Sequence, residues 1–216
     1  MPNEQINNKQ AKIEQSKDLA GKYMRDGWGS RGSVFHAIYD VFDTGISQEE
    51  FRRICAVIDP FHAPASSLYE DGHGFSITTC GALSGALASF ALIHGFQYGL
   101  DFPGNFGRDI YQEIMTNPDL CAKEKTEQFM DKLNSSGYGA YYQIVARFRA
   151  RLGTTDCFEL RKPYCKGDPL SKEAFKICKT AAIEAAGIAA EIILEYEEDP
   201  NSLQIGKGNV HMVELQ

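Results

Sequence analysis

Thr78-Thr79-Cys80-Gly81-Ala82-Leu83-Ser84-Gly85-Ala86-Leu87-Ala88-Ser89 is the stretch on which the reading of this chain turns. Two β-branched hydroxyl residues precede a cysteine, and a run of small and apolar residues follows. Thr78 or Thr79 is suited to cap a helix. That would place Cys80 in the first turn, where unpaired N–H groups and the helix dipole favour negative charge. A thiol so placed is expected to ionise easily, which suits a nucleophile or a metal ligand. The same residues equally describe a buried core helix with an incidental thiol. Gly81, Gly85 and Ser89 fall four apart and form one stripe of small residues, along which another backbone or a cofactor can come close.

Outward from this stretch the chain reads as helices separated by turns. Residues 9–26 carry a loose apolar face (Ala11, Ile13, Leu19, Ala20, Tyr23, Met24) and stop at the glycine-rich turn 26–32, which holds Trp28. Val34 to Phe42 resumes a helix. Ser47-Gln48-Glu49-Glu50 has the form of a capping box for a helix reaching Ile58, ended by Asp59-Pro60. Residues 61–77 are irregular and lead into Cys80, whose helix should end at Gly95. Short helices are expected at about 107–116 and 120–134. The next, Tyr138 to Leu152, should turn Tyr141, Tyr142, Val145 and Phe148 inward and leave Arg147, Arg149 and Arg151 as a mostly solvated face. Thr154-Thr155-Asp156-Cys157 opens a short helix, and Ser171 caps a last long one running to about Tyr196. Its alanine pairs (181–182, 185–186, 189–190) offer a small-residue face for the Cys80 helix. No convincing period-two strand and no internal repeat is present, so the fold class is all-α: a compact multi-helix bundle with a long irregular loop before the Cys80 helix.

With 216 residues, 43% apolar and 24% charged, the chain suffices for one substantial core. A single domain over 1–216 is expected, with a helical core at about 9–196 and an exposed tail at 197–216. The net charge of −7 argues against nucleic acid or an anionic membrane as the main partner. The first eight residues resemble no signal peptide, and the apolar run from Cys80 to Gly95 is too short to span a bilayer. A cytoplasmic location is the simplest expectation. Six cysteines in a reducing compartment are then thiols or metal ligands rather than disulfides.

Cys80, Cys157, Cys165 and Cys178 all stand near turns or helix starts. Seven residues separate Cys157 from Cys165, and twelve separate Cys165 from Cys178. The spacing lacks the tight C-x2-C pairs of zinc ribbons, yet it is compatible with a cluster held by thiolates from several helix ends. Cys55, between Ile54 and Ala56-Val57 on an amphipathic helix, reads as a core thiol. Cys121 opens a charged helix and stays outside the candidate site. His36, His62, His73, His94 and His211 are scattered, and no protease, hydrolase, P-loop or dinucleotide-binding motif occurs. No C-x-x-C-H is present, which excludes covalent c-type haem by motif.

Cys80-Gly81-Ala82-Leu83-Ser84-Gly85, a C-G-A-x-x-G motif followed by spaced cysteines, resembles the redox-active family named for its C_GCAxxG_C_C pattern. Over residues 15–195 the chain is similar to the long form of that family, which resembles the carboxy-terminal part of split-Soret cytochrome c. The shared features are the glycine-rich approach Tyr69-Glu70-Asp71-Gly72-His73-Gly74, the Cys157/Cys165 pair, and Cys178 opening an alanine-rich helix. The resemblance implies a helical domain holding an iron–sulfur cluster on Cys80, Cys157, Cys165 and Cys178, as cofactor-binding and metal-ligating residues with no separate catalytic residue. It implies electron transfer with a redox-protein partner rather than substrate turnover, and a possible homodimer. Shorter family members carry an amino-terminal cysteine where Gly29-Ser30-Arg31-Gly32-Ser33 here supplies serine. If that cysteine is a ligand, Cys165 takes its place or the centre is lost. A thiol–disulfide protein with Cys80 as the attacking thiolate, and a helical interaction module with structural cysteines, are the alternative readings.

Overall fold

The computed structural model describes residues 2–58, 79–95, 138–166, 168 and 171–203. Seven α-helices and a terminal 3-10 turn account for nearly all of them. In chain order these are α1 (Pro2–Arg25), α2 (Gly29–Val41), α3 (Gln48–Ile58), α4 (Gly81–His94), α5 (Tyr138–Leu152), α6 (Cys157–Cys165) and α7 (Lys172–Glu198), then Pro200–Leu203. The all-α expectation holds. Most of the loop before Cys80, together with the helices expected at 107–116 and 120–134, lies outside the described residues.

Local chemistry explains most of the boundaries. Ser47 and Glu50 form the reciprocal capping box: Ser47 N–H donates to Glu50 Oε2 at 2.8 Å, and Glu50 N–H donates to Ser47 Oγ at 3.3 Å. Ser171 Oγ accepts from Ala174 N–H at 3.2 Å and starts α7. Asp156, just ahead of α6, accepts from Glu159 N–H at 2.9 Å. Gly95, at φ +64°, closes α4 in the left-handed conformation that favours glycine.

The chain forms two compact units, Met1–Ile93 with Ile144–Leu194, and His94–Gln143 with Glu195–Gln216. In the first, α1 packs on α2, and glycines mark where helices come closest. A Cβ at Gly85 of α4 would sit 2.7 Å from the Arg31 carbonyl oxygen and 3.0 Å from Val34 Cβ, both on α2. The small-residue stripe of the Cys80 helix therefore does admit a backbone, and it is that of α2. On α7 the alanines at 181, 182, 185, 186, 189 and 190 are fully buried. The close approach seen there is to α1: a Cβ at Gly187 would meet the Lys17 stem at 2.6 Å, and one at Gly21 would meet Ile183 at 3.3 Å.

Two expectations for α5 change. Ile144 and Phe148 form its buried line, while Tyr141, Tyr142 and Val145 are half-buried. Arg149 and Arg151 are exposed as expected and Arg147 is half-buried, yet Arg147 and Arg151 also have partners on α7. Both pair with Glu191 of α7, Arg151 at 2.6 Å, and Arg151 also reaches Glu184 at 3.3 Å. Helical periodicity places a residue on a face but does not say which neighbour covers that face. In the second unit the His94 ring lies 4.8 Å from that of Tyr196. Leu203, in the segment expected to be an exposed tail, is buried.

Candidate functional site

All four candidate cysteines belong to the first unit, and the ends of three helices present them. Cys80 immediately precedes α4, Cys157 and Cys165 are the first and last residues of α6, and Cys178 lies in the second turn of α7. A short backbone pairing ties the first two together. Thr79 and Asp156 form an antiparallel bridge, and Cys80 N–H donates to the Thr155 carbonyl at 2.8 Å. Cys80 and Cys157 follow directly on either side of that bridge, although 76 residues separate them in sequence. At the other end of α6, Lys166 adopts a left-handed conformation at φ +46°. The chain then turns tightly, with Asp168 N–H on the Cys165 carbonyl at 2.7 Å and Ser171 N–H on the Asp168 carbonyl at 3.1 Å. This turn directs the chain into α7 and Cys178.

The electrostatics show that the four sulfurs share one neighbourhood. Repulsion from Cys157 and Cys178 adds to the upward push on the Cys80 thiol. Cys165 repels Cys157, and Cys157 and Cys165 both repel Cys178. Each thiol thus lies within electrostatic reach of at least two others. Cys80, Cys157 and Cys165 are buried and Cys178 is half-buried, with no disulfide among them.

Cys80 departs from the sequence expectation in two ways. The helix begins at Gly81, Ser84 N–H donates to the Cys80 carbonyl at 3.0 Å, and the Ala82 and Leu83 N–H groups donate to its sulfur. Cys80 is therefore itself the cap, in the role expected of Thr78 or Thr79. The second departure concerns its ionisation. Those N–H donors lower the thiol pKa as a helix start should, but burial outweighs them and raises it to about 12. Only 4% of Cys80 is exposed. Burial likewise raises Cys157, Cys165 and Cys178. The helix start thus acts on Cys80 in the expected direction, and desolvation outweighs it.

A residue that the sequence reading passed over also belongs here. Arg161 lies on α6 between Cys157 and Cys165, hydrogen-bonds Cys157, and lowers the pKa of Cys157, Cys165 and Cys178. The signal was available in the four-residue spacing Cys157, Arg161, Cys165, which aligns side chains along a helix.

The remaining candidates separate from this group. Cys55 sits on α3 with its sulfur 3.8 Å from His36 Nε2, half-buried rather than sealed in the core. Rings surround His36: Trp28 at 4.1 Å, Phe51 at 4.8 Å and Tyr23 at 5.8 Å between centroids. In the stretch 29–33, where serine stands for the expected amino-terminal cysteine, Ser30 is half-buried and Ser33 is fully buried on α2. Cys121, His62, His73 and His211 lie outside the described residues. Among the described residues, no three His, Cys, Asp or Glu side chains stand close enough to hold a metal ion, and no helix is long and apolar enough to cross a membrane.

The family described as "Putative redox-active protein (C_GCAxxG_C_C)" matches residues 50–192, roughly two thirds of the chain, a span that contains all four gathered cysteines. The chain belongs to this redox-active family. The motif that gives the family its name reads here as Cys80-Gly81-Ala82-Leu83-Ser84-Gly85, the start of α4. Ser33 precedes the matched span, whereas Cys55 and Cys121 fall within it. No curated protein and no solved structure matches the chain.

Proposed function

We propose that this protein, acting in a reducing cytoplasm, holds one iron–sulfur cluster on Cys80, Cys157, Cys165 and Cys178 and exchanges electrons with another redox protein. The observation that carries this reading is the gathering of four thiols from the ends of three helices, each within electrostatic reach of at least two others. The donor set is compatible in kind, because sulfur-only ligation selects iron–sulfur centres or zinc over hard cations. It is also compatible in spread. A single ion draws its ligands onto one point, whereas cluster thiolates bind different irons and stand further apart.

A bound cluster would supply one-electron chemistry that no side chain of this protein offers. The protein's own contribution is electrostatic and steric. The N–H groups of Ala82 and Leu83 point at the Cys80 sulfur and favour its anionic form, and the start of α4 adds positive potential. Burial excludes water from three of the sulfurs. Ligation requires thiolates, so loading should release protons from thiols that burial keeps neutral.

Purification without oxygen is the direct test. Brown protein with absorbance near 400 nm, and iron and sulfide in near-stoichiometric amounts, is the expected result. Colourless protein that takes up no iron after anaerobic reconstitution would overturn the reading. The Thr79–Asp156 bridge, with Cys80 and Cys157 next to it, favours one alternative, a disulfide between those two cysteines. Burial and the raised pKa make Cys80 a poor attacking thiolate, so slow alkylation of Cys80 at neutral pH is expected. Fast alkylation in colourless protein would favour thiol–disulfide exchange, and uniformly slow cysteines an interaction module.

A further inference from the structure

Two large apolar side chains stand exposed where α6 turns into α7: Tyr164 at 44% and Phe175 at 58%. Ser171 ties their backbones together. Its hydroxyl donates to the Tyr164 carbonyl at 3.4 Å, and its own carbonyl accepts from the Phe175 N–H at 3.1 Å. Tyr164 immediately precedes Cys165, and Phe175 lies one turn before Cys178. Along α7, Lys172, Phe175 and Cys178 follow at three-residue spacing and so lie towards one side of the helix. Cys178, the one half-buried member of the four cysteines, therefore shares a helix face with an exposed ring.

The same segment is charged against the trend of the chain. Residues 161–179 hold six Lys or Arg and two Asp or Glu, a local charge of +4 in a chain that carries −7. Lys162, Lys166, Lys172 and Lys176 are exposed, as are the two acids Asp168 and Glu173. A single exposed ring is ordinary, but neighbouring rings among charged residues have the composition of a protein contact. Lysines on an otherwise acidic chain select an acidic partner. A second copy is disfavoured, because a two-fold dimer through this face would set lysine against lysine. Nucleic acid is disfavoured by the two exposed acids and by the charge of the whole chain.

We propose that the Tyr164–Phe175 face is the docking surface for an acidic redox protein, which covers the two rings with apolar side chains and meets the lysines with carboxylates. The class of partner rests on the cluster reading above, since this face adjoins Cys165 and Cys178.

The probe is an acidic plant-type [2Fe–2S] ferredoxin, with its binding to the full chain read by calorimetry. Apoprotein and anaerobically reconstituted protein are titrated separately. Ferredoxin should bind wild type and bind it less tightly as salt is raised. Lys172→Glu/Lys176→Glu should weaken binding about ten-fold or more, and Phe175→Ser about three-fold or more. Arg52→Glu/Arg53→Glu makes the same change in charge on the exposed side of α3 and should weaken it about two-fold or less. All these side chains are exposed, and circular dichroism checks that each variant keeps its helices. No binding to wild type, or equal binding by wild type, the lysine variant and Phe175→Ser, overturns the inference. Equal losses in the lysine and arginine variants overturn it too, because net charge rather than this face would be the cause. Self-association that Phe175→Ser abolishes while ferredoxin binding persists makes a second copy the occupant and also overturns it. Brown protein whose binding ignores these residues leaves the cluster reading standing without the docking surface. Colourless protein that binds through them leaves the docking surface standing without the cluster.

Discussion

Two cysteine neighbourhoods in the first unit make opposite use of sulfur. At the ends of α4, α6 and α7, four thiols converge with an arginine among them. On the α2–α3 pair, Cys55 has the His36 imidazole at 3.8 Å and a set of rings around that histidine, including Trp28, which is 52% exposed. By single-residue criteria Cys55 is the better nucleophile candidate, since it is more accessible and has a base beside it. Cys80 is nearly sealed, with its thiol pushed up to about 12. Accessibility and a nearby base favour thiol reactivity, whereas burial with several converging sulfurs favours ligation. The family pattern falls on the four-thiol neighbourhood, so grouping marks the candidate site better than the reactivity of any one thiol.

The largest expected effect would break that contrast directly. Replacing Cys80 or Cys157 with serine should abolish cluster uptake, measured as iron and sulfide per chain after reconstitution. Cys55→Ser should retain the wild-type amount. Equal iron in all three would remove the distinction between the neighbourhoods.

The two regions meet where α2 crosses α4 at Gly85. Gly85→Ala must displace the Arg31 backbone carbonyl and should cost about 1–3 kcal/mol of stability as overpacking, read from urea unfolding. Gly187→Ala meets only the flexible Lys17 stem and should cost less than Gly85→Ala. Equal costs would mean that the α2–α4 seam is looser than its geometry indicates.

Alkaline pH sharpens the contrast from the side of the thiols. Folding raises the pKa of Cys80 from 9.0 to about 12 and raises those of Cys157, Cys165 and Cys178. The native state then holds protons that the unfolded chain releases. The metal-free protein should keep its full thiol contribution below about pH 9 and lose stability as pH rises towards about 12. Thermal midpoints of reduced apoprotein should therefore fall across that window. The decline should flatten when Cys80 is replaced by alanine, measured against that variant's own neutral-pH midpoint, and persist in Cys55→Ala.

The smallest effects belong to groups remote from the four gathered cysteines. Ser47→Ala removes one half of the capping box of α3 and should cost about 1 kcal/mol. Arg151→Gln breaks partly exposed pairs with Glu184 and Glu191 and should cost about 1 kcal/mol or less, declining with salt. Neither should alter iron content.

Much of the helical layout was legible in the residues. Ser47 with Glu50, Asp156, Ser171 and Gly95 mark boundaries through hydrogen bonds and backbone conformations that act over a few positions. The order of the cysteines and the C-G-A-x-x-G motif were legible for the same reason, being local. Their convergence was not, since the bridge between Thr79 and Asp156 joins segments that nothing in their own sequence relates. Nor was the reversal at Cys80, where two N–H donors favour the thiolate and desolvation by distant chain outweighs them. The partners of Arg147 and Arg151 were hidden likewise, because periodicity assigns a face and only packing assigns its neighbour. The sequence by itself determined an all-α chain with four sulfurs near its helix ends, through short-range capping and periodicity. Tertiary structure alone decided that those sulfurs share one neighbourhood with Arg161 and are kept from ionising, because burial and charge coupling depend on distance in space rather than along the chain.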